Sequence, residues 1–246
     1  METVEILTRP RAFPSPEIVC GELPAFDESD LASVQRAFQA VKPCEMRQTW
    51  QSEVSPGFAP ASVRVGHRDD CLLVLAELTD QDVFTHASSA NQRLWELGDV
   101  FEIYLRPADQ TAYFQMDIAP NNQRTQLQIP GVEALRRAQT ANEFADLVQP
   151  GHGVNSAIWL MPAHEKWFVY AAIPARLVCG RATLNAEKQW RFSFARYDYT
   201  RGQLEPVISS TSSHTQANFH RQHEWGWMWF GHGRSSAVKT ERLAAK

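Results

Sequence analysis

The sequence predicts an antiparallel β-sandwich with small helical additions, and three observations carry that prediction. Several segments of about five to nine residues alternate apolar and polar side chains with the period of two that a half-buried strand requires. Turn-rich stretches separate them, among them "SPGFAP" and "APNN". Strand-like and helix-like segments do not alternate, which disfavours a parallel α/β architecture of the dinucleotide-binding kind. The 246 residues are 43% hydrophobic and 21% charged, ordinary globular composition and enough for one large β-domain. Net charge is −4 with the signs interspersed, so nucleic acid finds no basic stripe. No apolar run approaches the ~18 residues that a membrane span needs.

Taken in order, residues 1–25 are interrupted by prolines and read as an extended arm. The first of them carry Glu2 and Glu5 and lack the apolar core of a signal peptide, so a cytoplasmic chain is expected unless the sequence is part of a longer one. "FDESDLASVQRAFQAV" predicts a helix capped by Asp27, with Phe26 and Leu31 as a hydrophobic staple and Leu31, Val34, Phe38 and Val41 on one face. Strands follow. "ASVRVGH" alternates, and "CLLVLAELTD" is uniformly apolar, as a central strand would be, with Cys71 a small buried hydrophobe. In "DVFEIYLRP", Phe101, Ile103 and Leu105 point one way and Val100, Glu102 and Tyr104 the other. "AYFQMDIAPNN" divides Phe114, Met116 and Ile118 from Tyr113, Gln115 and Asp117 in the same manner. "KWFVYAAIP" comes next, then "QWRFSFARY" with Trp190, Phe192 and Phe194 on one face. "EWGWMWF" closes the series with Trp225, Trp227 and Trp229 in alternation, as packing or sheet faces require.

One helical insert, residues 131–148, interrupts the strands with a capping-box pattern from Thr140 to Glu143. The organisation is therefore an arm and short helix over 1–47, a sandwich over 48–231 and a loose tail over 232–246. Cys20, Cys44, Cys71 and Cys179 are scattered without a C-x-x-C; their spacing selects none of three pairings, and reduced thiols are expected.

The order of "ASVRVGHRDDCLLVLAELTDQDVF", "LWELGDVFEIYL", "YFQMDIAPNN", "WFVYAAIP", "WRFSFARYD" and "FHRQHEWGWMWF" resembles the family 9 carbohydrate-binding modules and their DOMON-like relatives. The likeness spans about residues 48–231 and rests on order and spacing together rather than on one motif. It implies a jelly-roll or immunoglobulin-like sandwich that binds a sugar without catalysis in a cleft at its rim. In such modules two aromatic rings enclose a terminal sugar, and polar side chains, a strand glutamate among them, bond its hydroxyls. By position Trp95 matches the first ring, Glu102 the glutamate and Gln115 a polar group on the neighbouring strand. Phe219, about six residues before Trp225-Gly226, falls where the second ring belongs, with His220 beside it. The spacing in "WELGDVFE" is one residue longer than in those sugar binders, and the 131–148 insert is placed to cover or reshape one rim.

The chemistry agrees with that reading. A sugar offers apolar C–H faces and a fringe of hydroxyls, so a site needs flat rings and carboxylate or amide groups. Glu102 is either such a group or a solvent-face glutamate paired with Arg106 or Arg124; Trp95 is either a platform or a plug at the sandwich end. Catalysis finds no G-x-S-x-G, Walker, dinucleotide or H-E-x-x-H signature. Asp99 and Glu102 point to opposite faces, although Glu102 and Asp117 could be assembled from separate strands. A carbohydrate-active enzyme using the same cleft, or a domain that binds another protein along its tryptophan-rich last strand, are the alternatives. His220, His223 and Glu224 lack a third ligand at a recognised zinc spacing, so no metal site is assigned. Relatives bind structural calcium, for which Asp80 and Asp82 are the candidates beside a simple Asp turn. Haem, carried by some DOMON domains on Met and His, would need Met116 and His220, and Met116 belongs to the core-facing set; no cofactor is expected.

Overall fold

The computed structural model describes residues 14–138, 140–149, 153–180, 184 and 189–231. Among them twelve strands form two sheets. The strands are β1 (Glu17–Gly21), β2 (Cys44–Glu45), β3 (Ala61–Arg68), β4 (Cys71–Thr79), β5 (Val100–Pro107), β6 (Tyr113–Ile118), β7 (Arg124–Ile129), β8 (Asn155–Met161), β9 (Lys166–Pro174), β10 (Gln189–Asp198), β11 (Val207–Ser210) and β12 (Gly226–Gly231). One sheet runs β1-β12-β10-β5-β6-β7 with β11 also on β10, seven strands in all; the other runs β2-β3-β4-β9-β8. Short helices α1 (Leu31–Phe38), α2 (Val132–Arg137), α3 (Ala141–Ala145) and α4 (Ala175–Cys179) complete it. No described helix is long and apolar enough to cross a membrane.

The period-two pattern sorts side chains as the sequence predicts. Val63, Val65, Val74 and Val169 from one sheet meet Phe101, Ile103, Phe114, Met116, Phe192 and Phe194 from the other in the sandwich core. Phe101 and Phe194 stack there with centroids 6.0 Å apart. The outer face of the five-stranded sheet is closed by α1, whose Val34, Ala37 and Phe38 cover Leu73, Leu75, Phe168 and Tyr170. β5 and β6 are buried on both faces, a sign that the outer face of their sheet is covered too.

The helix starts later than its sequence signal. Asp30, not Asp27, caps it, accepting from Ala32 N at 3.3 Å and Ser33 N at 3.0 Å. Asp27 closes a turn on Ser29 instead, and Phe26 packs edge-on against Phe38 and Tyr170. Two acids three residues apart offer the same chemistry, and the local turn takes the first. The insert is two short helices rather than one, with the expected Thr140–Glu143 capping box starting the second. Part of the Pro-interrupted arm is a strand: β1 pairs in parallel with β12, Glu17 opposite Trp227, whereas the other strand pairs among the described residues are antiparallel. The four cysteines are present as thiols, Cys179 donating to Ala175 O, and Cys71 is half-buried. The expected tail at 232–246 lies outside the described residues.

Gly98, the residue ahead of Asp99, shows why the "WELGDVFE" spacing is what it is. It adopts φ +132°, and a Cβ there would meet Phe84 O at 2.6 Å and Thr85 Cα at 2.8 Å. Glycine permits this approach, which lets Phe84 N donate to Asp99 at 2.6 Å and aims β5 into the sheet. Gly98→Ala is therefore expected to cost about 2–3 kcal/mol of stability, read as a lowered urea midpoint. An unchanged midpoint would contradict the constraint.

Candidate functional site on the outer face of the seven-stranded sheet

Alternation on β5 sends Glu102 and Tyr104 outward, and on β6 it sends Gln115 and Asp117 outward. Antiparallel register sets Glu102 directly opposite Asp117 and Tyr104 opposite Gln115. These four make a polar floor that is almost entirely buried, with Glu102 1%, Gln115 2% and Asp117 0% exposed. The Tyr104 hydroxyl donates to Glu102 Oε2 at 2.6 Å, and Gln115 Nε2 donates to Asp117 Oδ1 at 2.9 Å. Gln115 Oε1 and Asp117 Oδ2 have no hydrogen-bond partner in the protein. Leaving a buried polar atom unpaired costs about 1–3 kcal/mol, so two in one place mark the floor as unusual.

Aromatic rings frame this floor. Trp95 sits half-buried on a 3₁₀ turn, Leu94–Glu96, and its backbone oxygen accepts from the Tyr199 hydroxyl at 2.6 Å. Phe219 is enclosed, edge-on to Trp50 at 6.1 Å and to Tyr197 at 5.7 Å. Its backbone oxygen accepts from the Trp225 indole at 2.7 Å. His220 lies edge-on to Tyr104 at 5.3 Å, and Tyr113 Oη meets its Nδ1 at 2.7 Å.

The insert roofs the site. Phe144 and Leu147 are its buried anchors, and Phe144 meets Trp95 edge-on at 5.8 Å. Gln128 N bonds Leu147 O at 2.9 Å and Gln149 N bonds Gln126 O at 2.8 Å, tying the segment to β7. The Arg93 guanidinium lies 5.1 Å from the Phe144 ring. By contrast α2 buries none of its side chains.

All five residues singled out in the sequence, Trp95, Glu102, Gln115, Phe219 and His220, thus fall on one face. Glu102 pairs with neither Arg106 nor Arg124: Arg106 bonds the carbonyls of Pro107, Ala108 and Gln110, and Arg124 bonds Val154 O and Ser156. Sequence reasoning gave no part to Tyr104, Tyr197, Trp50 or Phe144. Tyr104 alternates with Glu102 and was legible as an outward neighbour; Trp50 and Phe144 arrive from loops and the insert, which carry no such period.

Charge is the anomaly of the floor. Burial pushes the Asp117 carboxyl up to about 7, opposed by the Gln115 bond. Burial and then the Asp117 charge hold the Glu102 carboxyl well above its usual value, opposed by Tyr104. Burial holds His220 down to about 4, so its imidazole is neutral, with Nδ1 hydrogen-bonded to the Tyr113 hydroxyl. No described cation pairs with either acid of the floor. A second acid cluster at one end of the same sheet is handled differently. The oxygens of Asp80, Asp99 and Asp198 lie within 4.8 Å of one another, and Arg196 enters among them, 2.9 Å from Asp80 and 3.0 Å from Asp198. Asp99 spends both oxygens on Phe84 N and Tyr199 N. Asp80 takes Asp82 N in an Asp turn, and Asp82 pairs with Arg201. Asp80, Asp82 and Asp99 are thus engaged by Arg196, Arg201 and backbone amides. Met116 and His220 lie on opposite faces of the sheet and cannot share a haem iron. Glu224 serves His214, Thr215 and Arg221. A cleft of about 610 Å³ lies elsewhere, between β1 and β2, with Glu17, Lys42, Glu45 and Arg47 among its lining residues.

With this geometry in place, the comparisons with known proteins are informative about the fold. No family model and no curated protein matches the sequence. A candidate carbohydrate-binding protein from Bacteroides uniformis ATCC 8492 superposes with a TM-score of 0.64 at 14% identity, over 88% of this chain and 100% of that one. A family 9 carbohydrate-binding module from Caldicellulosiruptor kristjanssonii, in complex with cellotriose, gives 0.57 at 18% identity over 91% and 97%. A structure of a family 9 module from the same organism in complex with glucose gives 0.57 at 15% over 91% and 100%. The chain has the family 9 module fold.

The floor makes a pH prediction whose sign follows from the raised carboxyl values. A group whose folded pKa is raised adds stability below its unfolded value, about 3.9 for Asp, and loses it as pH climbs through the folded value. Asp117 is raised to about 7, so its contribution fades between pH 4 and 8. Asp117→Asn is expected to match the wild type near pH 4 and exceed it at pH 8 by on the order of 1–3 kcal/mol. Denaturation curves across that range check it, and a wild type more stable than the variant at pH 8 would contradict it.

Proposed function

We propose that this chain binds a carbohydrate, without turning it over, at the outer face of the seven-stranded sheet. The observation that carries the reading is the buried floor, where unpartnered Gln115 Oε1 and Asp117 Oδ2 sit beside Glu102 within a frame of aromatic rings. Sugar hydroxyls are donors that would satisfy such acceptors, and ring faces would cover the C–H surface. Glu102 and Gln115 orient the hydroxyls, and Trp95 supplies the accessible platform. Phe219, enclosed by Trp50 and Tyr197, sets the position of those two rings, and His220 holds Tyr113 and borders Tyr104. The cellotriose and glucose complexes of similarly folded modules support the ligand class.

Non-catalytic binding is favoured by register. Residues directly opposite on adjacent strands hold their Cβ atoms about 4.5–5.5 Å apart. Glu102 and Asp117 therefore stand side by side beneath a ligand instead of flanking a bond in it, as a glycosidase pair must.

Entry requires residues 131–149 to lift, because their anchors close the floor. A segment held by Phe144 and Leu147, by half-buried Ala134, Leu135, Ala138 and Val148 and by a few backbone bonds is small enough to open locally in the folded protein. Affinity is then reduced by the fraction of molecules that are open.

Two outcomes test the reading. Calorimetric titration with neutral and amino monosaccharides and with cellotriose is expected to give binding on the order of 0.1–1 mM, with Gln115→Leu weakening it at least about tenfold. No binding by any of them, or affinities unmoved in Gln115→Leu, would overturn it. Leu147→Ala is expected to tighten binding a few-fold by opening the roof, and a protease-protection assay on residues 131–149 reports the opening independently; unchanged affinity alongside increased cleavage would separate the roof from the site.

A further inference from the structure

Resting on the glycan reading, we propose that the preferred ligand is an amino sugar, whose protonated amine binds between Glu102 and Asp117. Two independent features of the floor lead there.

The first is an imbalance of hydrogen-bonding groups. Tyr104 has given its hydroxyl proton to Glu102, Tyr113 and His220 Nδ1 satisfy one another, and the Thr125 hydroxyl donates to Gln92 O. Gln115 Nε2 faces Asp117, which turns Oε1 away from it and fixes the amide orientation. With the carboxyls ionised, and apart from one N–H of the Gln115 amide, what these side chains leave over is acceptors, Gln115 Oε1 and Asp117 Oδ2. A neutral hydroxyl both gives and takes a hydrogen bond, whereas an ammonium group brings three donors and no acceptor.

The second is charge. Groups facing the pair come from every packed element: Tyr104 on its own strand, Gln115 on β6, Thr125 on β7, Tyr197 on β10, His220 from the loop before β12, and apolar Phe144 and Leu147 from the roof. None is a cation, and His220 is neutral. The Arg93 guanidinium at the rim pairs with Glu96 and lies on Phe144. The same sheet neutralises its Asp80–Asp198 cluster with Arg196 from its own sequence. Beneath the roof it supplies no counterpart, and an ammonium bound there provides one through charge-assisted bonds.

The test titrates the full chain with glucosamine, glucose and N-acetylglucosamine at pH 7.5, with and without EDTA. Glucosamine is expected to bind at least about tenfold tighter than glucose, a preference that the uncharged acetamide lacks and that EDTA leaves intact. Glu102→Gln and Asp117→Asn are each expected to bring the glucosamine-to-glucose ratio near one. Should either variant bind too weakly to measure, the wild-type ratio at pH 5 serves instead: protonating the pair there is expected to collapse it. Equal glucose and glucosamine affinities, with binding still sensitive to Gln115→Leu, would overturn the amine assignment and leave the glycan reading standing. A preference that persists in both variants and at pH 5, or binding that EDTA abolishes, would also overturn it. Absence of binding by all three sugars would remove the glycan reading and this inference together.

Discussion

Two carboxylates meet across adjacent strands beneath a lid of the protein's own side chains, and no cation from the chain answers them. Most of the unusual features of this sandwich follow from that constraint. Glu102 is steadied by a tyrosine hydroxyl and Asp117 by a glutamine amide, the neutral donors that the same two strands can supply. Neutral donors soften the repulsion without cancelling it, so burial holds both carboxyls above their ordinary range. A core selected for stability alone would have apolar side chains at these positions, since unpaired buried charge is among the most destabilising features a fold can carry.

The Arg196 cluster shows that the fold can solve the same problem. Three aspartates crowd together at the end of the sheet, and a buried arginine and backbone amides meet their oxygens. That arrangement knits the start of β5, the end of β10 and the loop after β4 into one unit, with Gly98 giving the chain the close approach it needs. The Arg196 cluster draws its partners from the chain. The floor of Glu102 and Asp117 instead keeps two acceptors, Gln115 Oε1 and Asp117 Oδ2, without a protein partner.

The insert explains why a face that should be open is covered. Strands β5 and β6 carry polar residues outward, yet both faces of each are buried. Phe144 and Leu147 close the floor, and Ala134 and Leu135 of α2 pack half-buried against the same cluster. Covering an acceptor-rich floor with this segment keeps bulk water away from its polar atoms.

The sequence by itself determined which side chains share a face, because a strand alternates with a period of two whatever it packs against. Glu102 with Tyr104, Gln115 with Asp117, and the core set from Phe101 to Phe194 were all legible in this way, and so was the order of elements that carries the sandwich. It did not determine which residues oppose one another: Glu102 against Asp117 is a matter of register between strands, set by the turn at 108–112 and by packing on both sheets. Nor could it show that β1 joins the last strand in parallel, that "RTQLQI" and "NSAIWLM" are strands, or that Asp30 rather than Asp27 caps the helix. Those depend on partners distant in the chain or on competition between equal local signals. Only the tertiary structure brought Trp50 and Phe144 around two acids, because loops have no periodicity and their placement is decided by what they cover.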